Sequence, residues 1–217
     1  MTLAYSSDCM PTRLSTDAAD EIEPFGLRMA FAKDEEIFGQ DEDADLIYRL
    51  VSGVVRTSRL TSDGRRQIGD FYYPGDVFGL EVGDAHRYAA EALSDCMVLA
   101  LKPSTLRHLG AEDALDRILW QAATRELDRT QEHLMLLGRK SAVEKVASFL
   151  SDVADRGHGS TAELSMSRQD IADYLGLTIE TVSRTISRLQ SAAVVEFDGC
   201  RRFRVRNDAA LTRLRVS

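Results

Sequence analysis

The sequence has 217 residues, of which 44% are hydrophobic and 29% are charged, and its formal net charge at pH 7 is −8. This composition is typical of a globular protein, and no apolar run is long enough to span a membrane. The first residues (MTLAYSSDCMPTRLSTDAADE) are polar and acidic, unlike a signal peptide, so we expect a cytoplasmic protein without a membrane partner. The three cysteines, Cys9, Cys96 and Cys200, are scattered and indicate no disulfide framework.

The net charge is divided unevenly along the chain. From Arg139 onward there are 13 basic and 10 acidic residues, which leaves 14 basic and 25 acidic residues in the preceding part. The local field matters more than the total charge when a protein binds nucleic acid. The pattern therefore predicts an acidic sensory or assembly domain joined to a mildly basic binding domain.

Short runs of β-forming residues characterise residues 25–110, after an N-terminal arm of residues 1–24 with little periodicity. The runs cover residues 46–51, 53–60, 66–71 and, with interruptions, 89–101. Turn residues separate them, including a Ser-Asp-Gly sequence at 62–64. Many short strands at regular spacing predict a jelly-roll-like β-barrel.

Residues 111–138 are predicted to form one long helix that Gly138 ends. Small and apolar residues recur in it every seven positions, as in a coiled coil. One row is Trp120, Leu127 and Leu134, and the other is Ala123, Thr130 and Leu137. This pattern predicts a dimerisation helix. A core helix lying on the barrel is the alternative, and Leu115 and Leu119 are suitably placed for such packing.

Residues 139–217 are predicted to form a second domain around the segment SRQDIADYLGLTIETVSRTISRL, which begins at Ser167. Ser167 can cap a first helix together with Asp170, and Gly176 supplies a tight turn. Thr178 then begins a second helix. The spacing predicts a helix-turn-helix, with an amphipathic hairpin of another role as the alternative.

Glu180, Ser183 and Arg184 lie within one turn on the polar face of the second helix, near its start. That end of a recognition helix enters the major groove, where Arg binds guanine and Glu accepts a hydrogen bond from cytosine. These three are the candidate base-reading residues. Candidate phosphate contacts lie at the two helix starts, on the flank of the second helix or in the next hairpin: Ser167, Arg168, Gln169, Thr178, Thr181, Arg188, Arg201 and Arg202.

A β-hairpin is predicted directly after the second helix, with strands at 194–197 and 201–205 around an Asp-Gly turn. A hairpin in this position is the wing of a winged helix. Its arginines suit phosphate contacts, although solvated edge strands are also commonly charged. Cys200 lies among these arginines and is a candidate redox switch, with an incidental wing residue as the alternative.

The order of these parts resembles the Crp/Fnr family of bacterial transcription regulators over nearly the whole chain. Residues 177–184 (LTIETVSR) resemble the Glu-x-x-Ser-Arg pattern of its FixK/Fnr branch, and residues 92–98 (ALSDCMV) resemble the Fnr-type end of the β-roll. The resemblance implies an α+β fold with an N-terminal double-stranded β-helix (jelly-roll) domain, a dimerisation helix and a C-terminal winged helix-turn-helix. It also implies a homodimeric activator that binds double-stranded DNA at a TTGAT…ATCAA-type palindrome and recruits RNA polymerase.

No effector site matches those of the family. Cys9 and Cys96 are too few thiolates for an iron–sulfur cluster within one chain. Cyclic-nucleotide receptors carry Gly-Glu-Leu and Arg-Ser/Thr segments, where this chain has Gly-Leu-Glu at 79–81 and Arg-Tyr at 87–88. The histidines show no pattern of haem or metal ligands, so we predict no cofactor and no metal. The FixK group has the same losses, and this resemblance implies target genes of microaerobic or anaerobic respiration, denitrification or nitrogen fixation.

Two other functions remain open as alternatives. A ligand-gated regulator of the same family would respond to a cyclic nucleotide or to redox state. A cupin-like enzyme would need a close pair of histidines, a carboxylate and a further histidine, and the sequence has no such pair, P-loop or nucleophile elbow. We therefore do not expect an enzyme.

Overall fold

The computed structural model describes residues 22–157 and 161–216, so most of the predicted arm, including Cys9, lies outside the described residues. Ile22 is fully buried, and a short 3₁₀ turn, Glu23–Phe25, leads into the first strand. Eight strands follow: β1 (Leu27–Phe31), β2 (Glu36–Phe38), β3 (Ile47–Ser52), β4 (Val55–Leu60), β5 (Arg66–Tyr72), β6 (Val77–Phe78), β7 (Ala89–Ala92) and β8 (Cys96–Leu101).

These strands form two antiparallel four-stranded sheets with a shared apolar core. Their orders are β1-β8-β3-β6 and β2-β7-β4-β5, so neighbours in space are distant in sequence, as in a jelly roll. Leu50 and Val98 from one sheet and Val55 and Ala90 from the other are all fully buried in one cluster. The predicted β-barrel is therefore confirmed. The short strands β1, β2 and β6 had not been predicted.

The long helix follows the roll. After α1 (Pro103–His108), α2 runs over Glu112–Arg139 and buries Leu115 and Ile118 against the roll residues Leu99 and Leu101. Gly138 was predicted to end this helix, and that prediction is wrong. The chain leaves the helix at Lys140, whose ψ of 142° is extended, and the next residue caps the following helix.

The C-terminal part is a winged helix-turn-helix. Its elements are α3 (Ala142–Arg156), β9 (Ala162–Glu163), α4 (Arg168–Leu175), α5 (Ile179–Ser191), β10 (Val195–Asp198), β11 (Arg202–Val205) and α6 (Asp208–Val216). The three strands form a sheet in the order β10-β11-β9. The closing helix α6 was not predicted, and its Leu211 is buried in the core of this part. None of the described helices is long and apolar enough to cross a membrane.

The roll and the winged helix share one core. Ile68 and Phe71 of β5 belong to the same buried cluster as Phe149 of α3 and Ile171 of α4. Phe71 lies 5.2 Å from the Tyr174 ring, measured between ring centroids. Strand β5 is therefore the surface on which the helix-turn-helix is seated.

Candidate DNA-binding surface

The first helix of the pair, α4, begins as the sequence predicts. The Ser167 backbone N–H donates to Asp170 Oδ2 over 2.8 Å, and the Asp170 N–H donates to Ser167 Oγ over 3.1 Å. This reciprocal capping box satisfies two amides at the start of the helix. The helix ends at Gly176, which has a φ of 61° that L residues rarely adopt, and α5 follows after two further residues.

Helix α5 buries one face and exposes the other. Thr178 is its N-cap and accepts a hydrogen bond from the Thr181 N–H over 3.3 Å. Val182, Thr185, Ile186 and Leu189 are buried, which anchors the helix on α4 and the rest of its domain. Glu180, Ser183 and Arg184 are exposed together at the N-terminal end of the opposite face.

The charges on this face suit hydrogen bonding to base edges. The backbone amide of Glu180 and the Thr178 hydroxyl hold the pKa of the exposed Glu180 carboxyl below its ordinary value, so it is an acceptor at neutral pH. Arg184 has no ion-pair partner among the described residues and presents its full set of donors. One acceptor and one donor group therefore project from neighbouring positions.

Five of the predicted phosphate contacts (Ser167, Arg168, Gln169, Thr178 and Thr181) already have side-chain partners within the protein. The Arg168 guanidinium lies 4.8 Å from the Phe197 ring centroid, and its Nη2 donates to the Cys200 carbonyl over 3.5 Å. The Gln169 side chain donates to Asp173 Oδ1 over 2.6 Å. Both side chains would have to leave these partners to reach a phosphate. The Ser167 hydroxyl donates to Asp170 Oδ2 over 2.7 Å, and the Thr178 and Thr181 hydroxyls lie 3.1 Å apart. Arg188 is exposed in the last turn of α5.

The arginines of the wing fall into two groups. Arg204 and Arg206 both pair with Glu196, at 2.8 and 2.7 Å. Arg201 and Arg202 are exposed and form no ion pair among the described residues, so they are the wing cations open to DNA. Cys200 is also exposed in this turn, and its redox role stays a prediction.

An apolar stripe runs along the outer face of α2. Trp120, Leu127 and Leu134 are 76%, 57% and 68% exposed, and Ala123 and Thr130 lie exposed beside them. Leu137 differs, because it is half-buried and its Cδ2 lies near Gly176 of the helix-turn-helix. Most of the predicted dimerisation rows are therefore open in the single chain, and their last member contacts the chain itself.

The roll residues at the positions of the nucleotide-binding segments have partners within the chain. Arg87 Nε donates to Glu81 Oε2 over 2.7 Å, so these two charges satisfy each other. Tyr88 packs so closely on Gly69 that a Cβ there would lie 3.0 Å from its ring. His86 is buried and stacks on Phe38, with ring centroids 3.7 Å apart. The part of the chain that the structure describes contains no group of His, Cys, Asp and Glu side chains suited to a metal ion.

One pair of functional candidates was missed by the sequence analysis. Arg56 and Arg66 of the roll both reach Asp170, to which the sequence analysis had assigned only a capping role. They are 114 and 104 residues away along the chain, and no local pattern connects residues so far apart.

Comparisons with known proteins give a consistent result. Residues 144–214 match the family described as Crp-like helix-turn-helix domain, and residues 28–113 match the family described as cyclic nucleotide-binding domain. The nitrogen fixation regulation protein FixK of Azorhizobium caulinodans is 46% identical over 207 residues, which cover 92% of this chain and 84% of that protein. FixK of Rhizobium meliloti is 41% identical over 182 residues, which cover 82% of each.

A solved structure supports the same relationship. The structure of FixK2 from Bradyrhizobium japonicum superposes with a TM-score of 0.81 at 46% identity. The match covers 87% of this chain and 96% of that one, so it includes the roll, the long helix and the winged helix together.

Proposed function

The chain belongs to the Crp/Fnr family of transcription regulators and is related to its FixK proteins, and we propose that it binds a palindromic operator as a homodimer. The observation that carries the proposal is the exposed face of α5, where Glu180, Ser183 and Arg184 project together from a capped helix beside a wing. In this proposal residues 25–110 form the roll domain, 111–138 dimerise and 139–217 bind DNA.

The chemistry of this face fits a half-site of the TTGAT type, which contains one G·C pair. Arg184 donates to O6 and N7 of the guanine, and the ionised Glu180 accepts from N4 of a cytosine. Ser183 adds a contact to a neighbouring base edge. Phosphate contacts from Ser167, Thr178, Thr181, Arg188, Arg201 and Arg202 fix the register of the helix on the duplex, joined by Arg168 and Gln169 if they exchange their present partners.

The dimer forms through α2. A stripe with an exposed Trp120, Leu127 and Leu134 leaves a continuous apolar surface in water, and a second copy of the same helix removes it. A twofold axis along α2 gives two copies of α5 that read two inverted half-sites, which is the symmetry of a palindrome.

The proposed role is that of a cofactor-free activator, which recruits RNA polymerase to genes of microaerobic or anaerobic respiration, denitrification or nitrogen fixation. The Glu81–Arg87 pair and the packing of Tyr88 on Gly69 support activity without a cyclic nucleotide, because the polar groups and the space are already used. A ligand-gated regulator is the second candidate, favoured by the match of residues 28–113 to a cyclic nucleotide-binding domain.

Equilibrium binding measures the proposed function directly. Fluorescence anisotropy at fixed salt compares a labelled duplex carrying the TTGAT…ATCAA palindrome with a duplex whose half-sites are scrambled. We expect the palindrome to bind at least about 10³-fold more tightly, with the same affinity in the presence of cyclic AMP or cyclic GMP. Equal affinity for the two duplexes contradicts the proposal, and a palindrome affinity that depends on the nucleotide favours the ligand-gated candidate.

A further inference from the structure

Two arginines of the roll hold the first helix of the helix-turn-helix by its N-terminal end. Arg56 Nη1 and Arg66 Nη2 each lie 2.6 Å from Asp170 Oδ1. Arg66 also donates from Nε and Nη2 to Asp173 Oδ2, over 2.9 and 2.8 Å. We call Arg56, Arg66, Asp170 and Asp173 the α4 clamp. The clamp joins strands β4 and β5 to α4, the helix that precedes the candidate base-reading helix α5.

Most of the α4 clamp is shielded from water, and Arg66 is its most exposed member, with a side chain that is 28% exposed. The Asp170 side chain is 3% exposed and that of Arg56 is 12% exposed. Glu91 of β7 grips Arg56 Nη2 with both carboxylate oxygens, at 2.9 and 2.8 Å. Shielded, charge-assisted hydrogen bonds of this kind are among the strongest in proteins, and removing one partner leaves a buried charge unpaired.

One carboxylate serves two purposes in this arrangement. Asp170 Oδ2 accepts from the Ser167 backbone N–H and hydroxyl, at 2.8 and 2.7 Å, and so completes the cap of α4. Its other oxygen accepts from both arginines. The angle of α4 is therefore tied to the roll through the same group that begins the helix, and a small rotation of the helix breaks several bonds at once.

The roll contacts both ends of α4, through Phe71 against Tyr174 and through the α4 clamp, and α2 and α3 add contacts at the C-terminal end. At the C-terminal end, Lys145 of α3 donates to the Leu175 carbonyl over 3.2 Å, and His133 of α2 lies 4.1 Å from the Tyr174 ring, centroid to centroid. The N-terminal end is held by the α4 clamp. Covalently, the winged helix joins α2 through Lys140, whose backbone is extended rather than helical.

We propose that Arg56 and Arg66 are positioning residues that set the separation of the two reading helices in the dimer, and so select the spacing between operator half-sites. This inference rests on the proposed function. The rigid path runs from the dimer axis in α2 through the roll and the α4 clamp to α4 and α5. Half-site spacing is a geometric property of the bound dimer. The contact that fixes the angle of α4 therefore restricts the half-site spacings at which both winged helix-turn-helix domains of the dimer bind at once.

The test uses palindromes with identical half-sites and central spacers lengthened or shortened by one and two base pairs. Wild-type protein is compared with Arg66→Gln, and Arg59→Gln is the matched control, because Arg59 lies on the same sheet, outside the clamp. Affinity for a duplex with a single half-site is measured in parallel. We expect Arg66→Gln to reduce the spacing preference by about tenfold, with single-site affinity unchanged, while Arg59→Gln keeps the wild-type preference.

Arg66→Lys provides a second variant, which retains the positive charge at this position. A lysine ammonium is a compact charge with three donors, and it lacks the planar fork with which the guanidinium contacts two carboxylates at once. We therefore expect a partial loss of spacing preference. An unchanged preference in both variants overturns the proposal. A loss of affinity for the single half-site that equals the loss on the palindrome also overturns the proposal, because Arg66 would then stabilise only the winged helix-turn-helix domain itself. A wild-type protein that ignores the palindrome overturns the proposed function and this inference together, and it is detected before any variant is compared.

Discussion

Arg184 and Arg188 are exposed arginines one turn apart on α5, and their expected roles differ. Arg184 lies nearer the N-terminal end, which we expect to enter the groove, whereas Arg188 lies in the last turn, where we expect it to contact the DNA backbone. A residue that hydrogen-bonds a base edge carries sequence information, and one that contacts a phosphate does not. The two substitutions therefore have distinguishable signatures.

We expect Arg184→Ala to lose about 1–3 kcal/mol of binding free energy on the palindrome and to relax the preference at one base pair in each half-site. Arg188→Ala is the matched control and should weaken binding to all sequences by a similar factor. Anisotropy titrations against a set of single-base-pair substitutions in the half-site measure both effects. A specificity profile that is unchanged in Arg184→Ala contradicts the assignment of Arg184 as a base-reading residue.

At this scale the sequence predicted what is encoded locally. Ser167 and Asp170 of the capping box are three positions apart, and the left-handed backbone conformation at the end of α4 favours glycine at 176. Both features were therefore recognisable as short sequence patterns. The stacking of Arg168 on Phe197 was not visible, because it joins a helix to a wing 29 positions away through tertiary packing. The same limitation concealed the partners of Asp170.

Helix α2 has two apolar faces, of which one is buried and the other is exposed. Leu115 and Ile118 are buried on the roll, while Leu127 and Leu134 face outward. The heptad spacing predicted the exposed stripe. Gly138 was predicted to end the helix because glycine disfavours a helix by about 1 kcal/mol relative to alanine, but the helix runs one residue further, to Arg139.

We expect the double variant Leu127→Glu, Leu134→Glu to be monomeric, because two charges per chain would be placed opposite their copies in a closely packed apolar seam. Analytical ultracentrifugation measures the change in mass. Leu109→Glu is the control, since Leu109 and Leu127 are both 57% exposed and Leu109 lies outside the stripe. A double variant that remains dimeric contradicts dimerisation through α2.

Strand prediction was limited by the length of the elements. The runs that became β3, β4 and β5 have six or seven residues, and each was placed within two residues of its observed bounds. Strands β2 and β6 have three and two residues, too few to show an alternating pattern. The closing helix α6 was missed, although its buried Leu211 completes the core of the winged helix.

The whole molecule combines an acidic roll with a mildly basic DNA-binding part, and the α4 clamp lies at their junction. Burial raises the pKa of Asp170, but the hydrogen bonds from Ser167 and the charges of Arg56 and Arg66 outweigh it and hold that pKa below its ordinary value. A lowered carboxyl pKa stabilises the folded state above the unfolded pKa of about 3.9, and this stabilisation is lost as the pH falls through the lower, folded-state pKa. The Asp170 carboxyl therefore stays ionised throughout the neutral range, and we expect the hydrogen bonds of the α4 clamp to be insensitive to pH there.

We propose that the exposed faces of the two copies of α5 in a dimer bind a palindromic operator specifically. Selection of bound sequences from random duplex DNA tests this claim most directly, because it tests the base-reading residues and the twofold symmetry together. We expect enrichment of inverted TTGAT-type half-sites at one spacing, with a relaxed preference at the G·C pair of each half-site when Arg184→Ala is used. Recovery of an asymmetric site, or of a consensus that Arg184→Ala leaves unchanged, would contradict the proposal.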